Sequence, residues 1–299
     1  MELLTPTNWK DYELIDTGGF EKLERFGKYI ISRPEPQAVW NKSLPRSEWE
    51  KLAHARFEMQ IEKTIKPGNH EDKGRWILKS SMPQQWNVAY NYKGMHLVMR
   101  LGLTSFKHVG IFPEQAANWD FIYDSIETLG GSAPKVLNLF AYTGGASLAA
   151  KAAGADVTHV DSVKQVVNWT RENMELSNLN GIRWVVEDAL KFVNSEVKRG
   201  KKYQGIILDP PAYGRGANGE KWHLDKNINE MLKLCGKLLE DRGFLILNLY
   251  SMGLSALIAE NLVKEHFNPK SSCQTGELYQ QDKVGKKLPL GVFVRFLEK

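Results

Sequence analysis

Short apolar runs alternate with helix-forming stretches from Ala116 to the end of this 299-residue chain. The runs are too short for helices, and Gly or Pro often stands at their borders, which is typical of strands. The predicted strands are residues 136–140, 156–161, 183–186, 205–208, 243–248 and 293–297; the predicted helices are 116–129, 146–153, 164–178, 189–197 and 227–239. This alternation predicts an α/β fold with a doubly wound, mostly parallel, Rossmann-like sheet.

The first 114 residues differ in character, being rich in Trp, Pro and Gly and broken into short alternating runs. Runs at 76–78 and 96–101 predict strands, with turns at 67–69 and at Lys93-Gly94. One helix is predicted from Ser47, which can cap it, to about Thr64. We therefore predict a smaller, mainly β domain over residues 1–114, which could serve substrate recognition, and a second domain over residues 115–299.

Composition excludes several classes of protein. No run approaches the ~18 uninterrupted apolar residues of a membrane span, and the N-terminus lacks the features of a signal peptide. The two cysteines, Cys235 and Cys273, are too few for a disulfide framework or a Cys-rich metal site. We expect a cytoplasmic protein with no membrane contact and no metal; the sequence does not indicate the oligomeric state.

The net charge of +5 is mildly basic and compatible with a polyanionic partner. Lysines and arginines cluster at residues 198–202 and 283–287. Each cluster could contact phosphates if it lay beside an active site, or could be a solvated loop.

In an open α/β sheet, ligands bind where the strands end, so the residues after each predicted strand are the candidates for a site. The first strand leads into the turn Thr143-Gly144-Gly145, where two glycines let the backbone approach a ligand closely; a plain tight turn is the alternative. Asp161 ends the second strand, and a carboxylate there can accept hydrogen bonds from both hydroxyls of an adenosine ribose.

Asp188 follows the third strand. Its side chain could accept a hydrogen bond from the exocyclic amine of an adenine, or could cap the helix predicted at 189–197. The two roles do not exclude each other.

The fourth strand ends at Asp209-Pro210-Pro211-Ala212-Tyr213, the most specific motif in the chain. Two prolines fix φ and remove two backbone donors, so we predict a rigid loop whose carbonyl oxygens face a substrate. Tyr213 offers a ring on which a planar base can stack. A purely structural turn would account for the prolines but not for the aspartate and the tyrosine.

Residues 136–161, followed by the segment from Asp209 to Gly214, resemble class I S-adenosylmethionine (SAM)-dependent methyltransferases. Within that class they are most similar to the 23S ribosomal RNA methyltransferases that carry an Asp-Pro-Pro-x-aromatic motif. The resemblance extends from about Val109 to the C-terminus. It implies a seven-stranded methyltransferase domain over residues 115–299, SAM as the cofactor and RNA, in particular ribosomal RNA, as the substrate.

In that family, the segment corresponding to 140–145 wraps the methionine part of SAM, Asp161 holds the ribose and Asp188 meets the adenine. The segment that begins at Asp209 lies beside the methyl group. The stretch 108–115 is similar to a family segment that closes over SAM, although an interdomain linker is the alternative. The candidate catalytic residues are Asp209, Pro210, Pro211 and Tyr213; the candidate cofactor-binding residues are Phe112, Gln115, Phe140, Tyr142, Thr143, Gly144, Gly145, Asp161, Ser162, Asp188 and Asp209.

The chain departs from the family pattern in two places. Gln115 is followed by Ala116 where many relatives have arginine, which removes one polar or phosphate contact. Relatives that methylate carbon 5 of cytosine carry a nucleophilic cysteine after the fifth strand, because that carbon reacts only after a thiolate has added to the ring. The matching stretch 248–252 has no cysteine, and Cys235 lies at an apolar helix position. The sequence therefore favours a nitrogen of an RNA base as the methyl acceptor.

Other functions stay open. The N-terminal domain does not resemble the RNA-binding domain that usually precedes this catalytic unit, although the segment 33–40 is similar to one in uncharacterised bacterial members of the group. A protein or small molecule could be the substrate, or the chain could be a non-catalytic SAM- and RNA-binding module. A nicotinamide-dependent dehydrogenase is disfavoured, because Thr-Gly-Gly-Ala is not Gly-x-Gly-x-x-Gly and the motif at Asp209 would have no role.

Overall fold

The computed structural model describes residues 1–59, 73–216, 219–250 and 253–299. Its N-terminal part is mainly β. The elements are β1 (Glu2–Leu4), β2 (Tyr12–Gly18), β3 (Glu21–Phe26), β4 (Tyr29–Pro34), α1 (Arg46–Leu52), β5 (Ala55–Met59), β6 (Gly74–Leu78), β7 (Gln85–Tyr92) and β8 (Met95–Gly102). Strands β2 to β6 form a five-stranded sheet in sequence order, and β7 and β8 form a separate hairpin.

A 3₁₀ turn (Pro113–Gln115) leads into the α/β part. Its elements are α2 (Ala116–Leu129), β9 (Lys135–Leu139), α3 (Gly145–Ala152), β10 (Asp156–Asp161), α4 (Lys164–Leu176), β11 (Arg183–Val186), α5 (Ala189–Lys198), β12 (Tyr203–Leu208), β13 (Tyr213–Arg215), β14 (Lys221–His223), α6 (Leu224–Leu238), β15 (Leu239–Leu249), α7 (Ala256–Phe267), β16 (Gln274–Gln281) and β17 (Lys287–Glu298).

The large sheet has the strand order β1-β16-β17-β15-β12-β9-β10-β11. The strands from β15 to β11 are parallel, whereas β17 is antiparallel to both of its neighbours. The chain order reverses between β9 and β12, so the crevice at their carboxyl ends is the topological switch point at which such sheets bind ligands. The sheet thus contains the seven strands that the family resemblance implies, and β1 adds an eighth.

Both faces of the sheet are covered, which explains why its central strands are apolar throughout. Helices α2 and α3 and the hairpin β7–β8 share one hydrophobic core with one face, and α5, α6 and α7 share a second core with the other. Cys235 is fully buried in the second core, as the apolar helix pattern predicted. Within the described residues, no helix is both long and apolar enough to cross a membrane.

The N-terminal part is attached to the large sheet at several points. β1 pairs with β16, and the hydroxyl of Thr17 on β2 donates to Asp282 in the turn between β16 and β17. In the same turn, the ammonium group of Lys286 donates to the carbonyls of Thr17 and Asn41. Lys286, from the basic cluster 283–287, therefore joins the two parts of the protein instead of standing in a solvated loop.

One predicted element is wrong. The helix expected from Ser47 to about Thr64 ends at Leu52, and Ala55–Met59 forms strand β5, which pairs with β4 and β6. The alternation of buried Ala55 and Phe57 with more exposed neighbours has the period of a strand. Residues 60–64 of that helix and the turn at 67–69 lie outside the described residues. The other predicted helices and strands are confirmed to within a few residues.

Candidate active site

A pocket of about 540 Å³, counting the space at its mouth, opens at the switch point between β9 and β12. Its lining brings together predicted residues from three separate segments of the chain. These are Phe112 and Gln115 from the 3₁₀ turn, Phe140, Tyr142, Thr143, Gly144 and Gly145 from the loop after β9, and Asp209 from the end of β12. The sheet topology thus gathers in space what the sequence spreads over about a hundred residues.

The loop 140–145 is held in an unusual conformation. Phe140 and Tyr142 adopt φ values of 55° and 50°, in the left-handed region that non-glycine residues seldom visit. Gly144 has φ 90°, and a Cβ there would lie 2.0 Å from Cγ2 of Thr170. The glycine is therefore required by packing inside the protein as well as by the turn. Such strain clusters at functional sites, because only a rigid surrounding structure can maintain it.

Three side-chain hydrogen bonds hold this loop in place. The hydroxyl of Thr170 donates to the carbonyl of Tyr142 at 2.9 Å, and Asn173 Nδ2 donates to the carbonyl of Thr143, also at 2.9 Å. The hydroxyl of Thr143 donates to the carbonyl of Gly110 at 2.6 Å. The loop is thus fixed both to helix α4 and to the segment that leads to Phe112 and Gln115.

Asp161, at the end of β10, lies directly behind the loop. Its two carboxylate oxygens accept hydrogen bonds from the backbone N–H groups of Tyr142 and Val163, each at 2.9 Å. Burial raises the pKa of Asp161, and these two bonds lower it in part. Each oxygen keeps a lone pair with which a ligand hydroxyl can bond. Ser162 is next to it and donates to the carbonyl of Arg215 at 3.4 Å.

Asp188, like Asp161 and Ser162, is not part of the pocket lining. Its Oδ1 accepts a hydrogen bond from the backbone N–H of Lys191 at 2.9 Å, so Asp188 caps α5. The capping role considered from the sequence is confirmed, and contact with an adenine stays a prediction.

Asp209 and Asn248 lie side by side at the carboxyl ends of the neighbouring parallel strands β12 and β15. Asn248 Nδ2 donates to Asp209 Oδ1 at 2.7 Å. Burial raises the pKa of Asp209 to about 6, and the bond from Asn248 opposes that shift. The other amide atom, Asn248 Oδ1, is buried and has no hydrogen-bond partner within the described residues. A buried acceptor without a donor is costly, so its place in the pocket lining indicates a ligand that carries N–H or O–H groups.

A side chain from the hairpin β13–β14 holds the loop after Asp209, a contact that the sequence did not predict. Pro210 is buried, whereas the carbonyl of Pro211 accepts a hydrogen bond from the indole N–H of Trp222 at 2.7 Å, so it does not face a substrate. Tyr213 begins the hairpin β13–β14 and is 44% exposed. The Tyr213 ring lies edge-on to His223 at 5.0 Å, which fixes it while leaving much of its surface accessible.

Several pocket residues escaped the sequence analysis, namely Asn118, Trp119, Asn138 and Asn248. Asn118 Nδ2 donates to Gln115 Oε1 at 2.9 Å, and Asn118 Oδ1 accepts from Arg295 at 3.2 Å. Asn248 had a readable signal, because it is a polar residue at the carboxyl end of an apolar strand. Trp119 and Asn118 had none, since nothing in a helix sequence says which residue faces a distant loop.

The strand order, with one antiparallel strand at β17, and the pocket at the switch point define a class I SAM-dependent methyltransferase. The chain belongs to the S-adenosylmethionine-dependent methyltransferase family, whose model matches residues 70–266.

Comparison with solved structures supports this membership. A SAM-dependent methyltransferase from Agrobacterium tumefaciens superimposes with a TM-score of 0.89 and 35% identity, over 100% of this chain and 94% of that one. The methyltransferase SMU.776, crystallised as a complex with S-adenosylhomocysteine (SAH), has a TM-score of 0.71 at 17% identity, over 97% of this chain and 76% of its own, and so shares the fold.

Among curated proteins, the chain is similar to the ribosomal RNA large subunit methyltransferase K/L of Shewanella frigidimarina (strain NCIMB 400). The two are 32% identical over 151 residues, which make up 49% of this chain and 20% of the relative. The chain thus matches only about a fifth of that relative's length.

Proposed function

We propose that this methyltransferase acts on RNA, and in particular on ribosomal RNA. It transfers a methyl group from SAM to a nitrogen of a base. The observation that carries the proposal is the pair Asp209 and Asn248, which offers acceptor oxygens, one of them unpartnered, in the pocket. Amino and imino groups of bases are the donors that such oxygens recognise. The name of the K/L relative supports ribosomal RNA as the substrate. Such a substrate would place the enzyme in the cytoplasm.

The residues around the pocket fit SAM. Asp161 keeps lone pairs that would serve the ribose hydroxyls, and Gln115 and Thr143 line the pocket and would offer polar groups to the methionine part. We assign the cofactor to Phe112, Gln115, Phe140, Tyr142, Thr143, Gly144, Gly145, Asp161, Ser162 and Asp209, with Asp188 toward the adenine. When bound, SAM supplies a methyl group on a positively charged sulfur.

The protein's own contribution is to position the acceptor. Asp209 and Asn248 Oδ1 accept hydrogen bonds from the target nitrogen and turn its lone pair toward the methyl group. The carboxylate of Asp209 also takes the proton that the nitrogen loses on methylation. Tyr213 provides a stacking surface for the base, which has to leave any helix in which it is paired.

The cysteines support nitrogen over carbon 5 of cytosine. Cys235 is buried in the second core, where burial raises its thiol pKa, and Cys273 lies just before β16. Neither lines the pocket. Ser251 and Met252, which complete the stretch 248–252, lie outside the described residues and are not cysteines.

The proposal is tested by transfer of labelled methyl groups from SAM. The purified protein is incubated with total RNA, and separately with protein extract, from a strain that lacks the gene, and labelled RNA is digested to nucleosides. We expect label in one ribosomal RNA nucleoside, on nitrogen. Label in protein alone would contradict the proposal, as would a labelled C5-methylcytidine.

A further inference from the structure

Four charged side chains are buried on one side of the N-terminal sheet, on β3 and β4 and just after β4. Arg33 donates to both oxygens of Glu24, at 2.6 and 3.2 Å. Lys22 Nζ lies 3.1 Å from Glu35 Oε2 and 3.7 Å from Glu24 Oε1. Burial would raise the pKa of both carboxyl groups, but the cations outweigh it and hold each pKa below its usual range. Both carboxyl groups are therefore charged at neutral pH.

Such a network contributes little to folding. Removing ions from water costs about as much as their mutual attraction returns, and apolar replacements are often as stable or more so. Its position within the protein suggests another role, because it ends beside the active site. Glu114, one residue before pocket-lining Gln115, is close enough to feel the charges of Lys22, Arg33 and Asp209, and its burial raises its pKa to about 7.

The network reaches the α/β part through one hydrogen bond. The hydroxyl of Tyr250 donates to Glu35 Oε1 at 3.0 Å, while Lys22 occupies the other oxygen of Glu35. Tyr250 directly follows β15, two residues after Asn248. The side chain of Gln37 also lies within hydrogen-bonding reach of the Tyr250 hydroxyl. Glu35, together with Gln37, thus holds the hydroxyl end of the Tyr250 ring.

Tyr213 and Tyr250 emerge beyond the carboxyl ends of neighbouring strands, after β12 and β15 respectively. The bonded pair Asp209 and Asn248 lies at those same two strand ends. Both tyrosines are substantially exposed, 44% and 41%. Neither ring lines the pocket, but both are accessible and follow the strand ends where the acceptor oxygens lie, which suits a planar base that carries N–H donors.

We propose that Tyr250 is a second base-contacting aromatic residue of the acceptor site and that Glu35, anchored by Lys22, is the positioning residue that holds it. The N-terminal sheet is then part of the acceptor site, acting through one tyrosine. This inference rests on the proposed function, since it needs an RNA base as acceptor.

The test is steady-state methyl transfer to ribosomal RNA extracted from a strain lacking the gene, with SAM binding measured separately. Tyr250→Ala removes the ring and should raise the KM for RNA about tenfold to hundredfold, the range for one base stack, without changing SAM affinity. Tyr250→Phe keeps the ring but loses the bond to Glu35, and should raise this KM about three- to tenfold. Leu257→Ala, which truncates an exposed apolar residue on α7, is the control and should change neither quantity.

Substitutions at Glu35 test the positioning role. Glu35→Leu should raise the KM for RNA, but no more than Tyr250→Phe, which loses the contact with Gln37 as well, and the double variant should be no worse than Tyr250→Phe alone. Glu35→Gln keeps an acceptor oxygen for Tyr250 and should restore the KM. Glu35→Leu takes from the buried Lys22 its nearer carboxylate partner and can destabilise the fold. If that variant does not fold, the comparison of Tyr250→Phe with Glu35→Gln decides the question.

The outcomes separate the two proposals. An unchanged KM in Tyr250→Ala, with turnover still lost in Asp209→Ala, would overturn the role of Tyr250 and leave the function intact. Multiplying effects in the double variant would overturn the positioning role of Glu35. If the wild-type protein binds SAM but transfers no methyl group to RNA, the proposed function fails and this inference fails with it.

Discussion

The hydroxyl of Thr143 donates a hydrogen bond to the carbonyl of Gly110 at 2.6 Å, and both groups are buried. The two residues belong to the two segments between which SAM would be held, the loop after β9 and the chain leading to Phe112 and Gln115. This hydrogen bond therefore joins the two walls of the pocket, as does the contact between the rings of Phe112 and Tyr142.

Replacing Thr143 with valine removes this bond while preserving the shape of the side chain. The Gly110 carbonyl would be left unpaired at a buried position, which costs about 1–3 kcal/mol. We expect a lower melting temperature and SAM binding weakened about tenfold, measured by calorimetry. Thr143→Ser keeps the hydroxyl and should bind SAM like the wild type; equal losses in both variants would contradict this role.

Asp161 and Asp209 should have separable effects. Asp161→Ala removes the acceptor for two backbone amides and the ribose, so SAM affinity should fall about tenfold or more, with a smaller effect on turnover at saturating SAM. Asp209→Ala should lower turnover about 10²- to 10⁴-fold with little change in SAM affinity. Asp156→Ala, at the opposite end of β10, is the control. If both variants lost affinity and turnover equally, this division would be wrong.

The rate of transfer should depend on pH through Asp209. Burial raises its pKa to about 6, and only the carboxylate accepts a proton, so the rate should rise as pH passes about 6 and then level off. Glu114 also titrates in this range, with a pKa of about 7. Glu114→Gln should keep the rise in rate near pH 6, and Asp209→Asn should lose that rise along with most activity. If the rise vanished in Glu114→Gln, Glu114 would be the group responsible for it.

The cofactor loop should be intolerant of a methyl group at Gly144. Gly144→Ala combines a φ of 90° with a Cβ placed 2.0 Å from Thr170 Cγ2. Gly154 has nearly the same φ, 93°, but nothing within 4 Å, so Gly154→Ala measures backbone strain alone, about 1–3 kcal/mol. Urea unfolding should show a clearly larger loss of unfolding free energy for Gly144→Ala than for Gly154→Ala. Adding Thr170→Ser removes the clashing methyl group and should recover the difference; no recovery would mean that the clash is relieved elsewhere.

The sequence predicted the α/β part well because its strands are buried on both faces and read as continuous apolar runs. It failed where pairing partners decide the structure. The sequence predicts a helix over Ala55–Met59, whereas pairing with β4 and β6 makes this segment a strand. Strand β16 contains three glutamines and gives no apolar signal.

The motifs of the candidate site were also readable, because each follows a strand end. What could not be read is which distant groups meet there. The indole of Trp222 donates a hydrogen bond to the Pro211 carbonyl, and the Glu35 carboxylate accepts one from Tyr250. The partners in each bond come from different parts of the chain, and such bonds leave no periodic pattern in a sequence.

Strand β1 has a consequence for the order in which the protein can be assembled. Glu2 pairs with Gly276 and Leu4 with Leu278, so β1 has its place beside a segment that is synthesised about 270 residues later. The five-stranded sheet can form from neighbouring segments while synthesis continues. The edge of the large sheet cannot, because it has to wait for β16. Completion of the fold is thus a late event, and a ribosome that stalls before β16 would leave β1 without its neighbour.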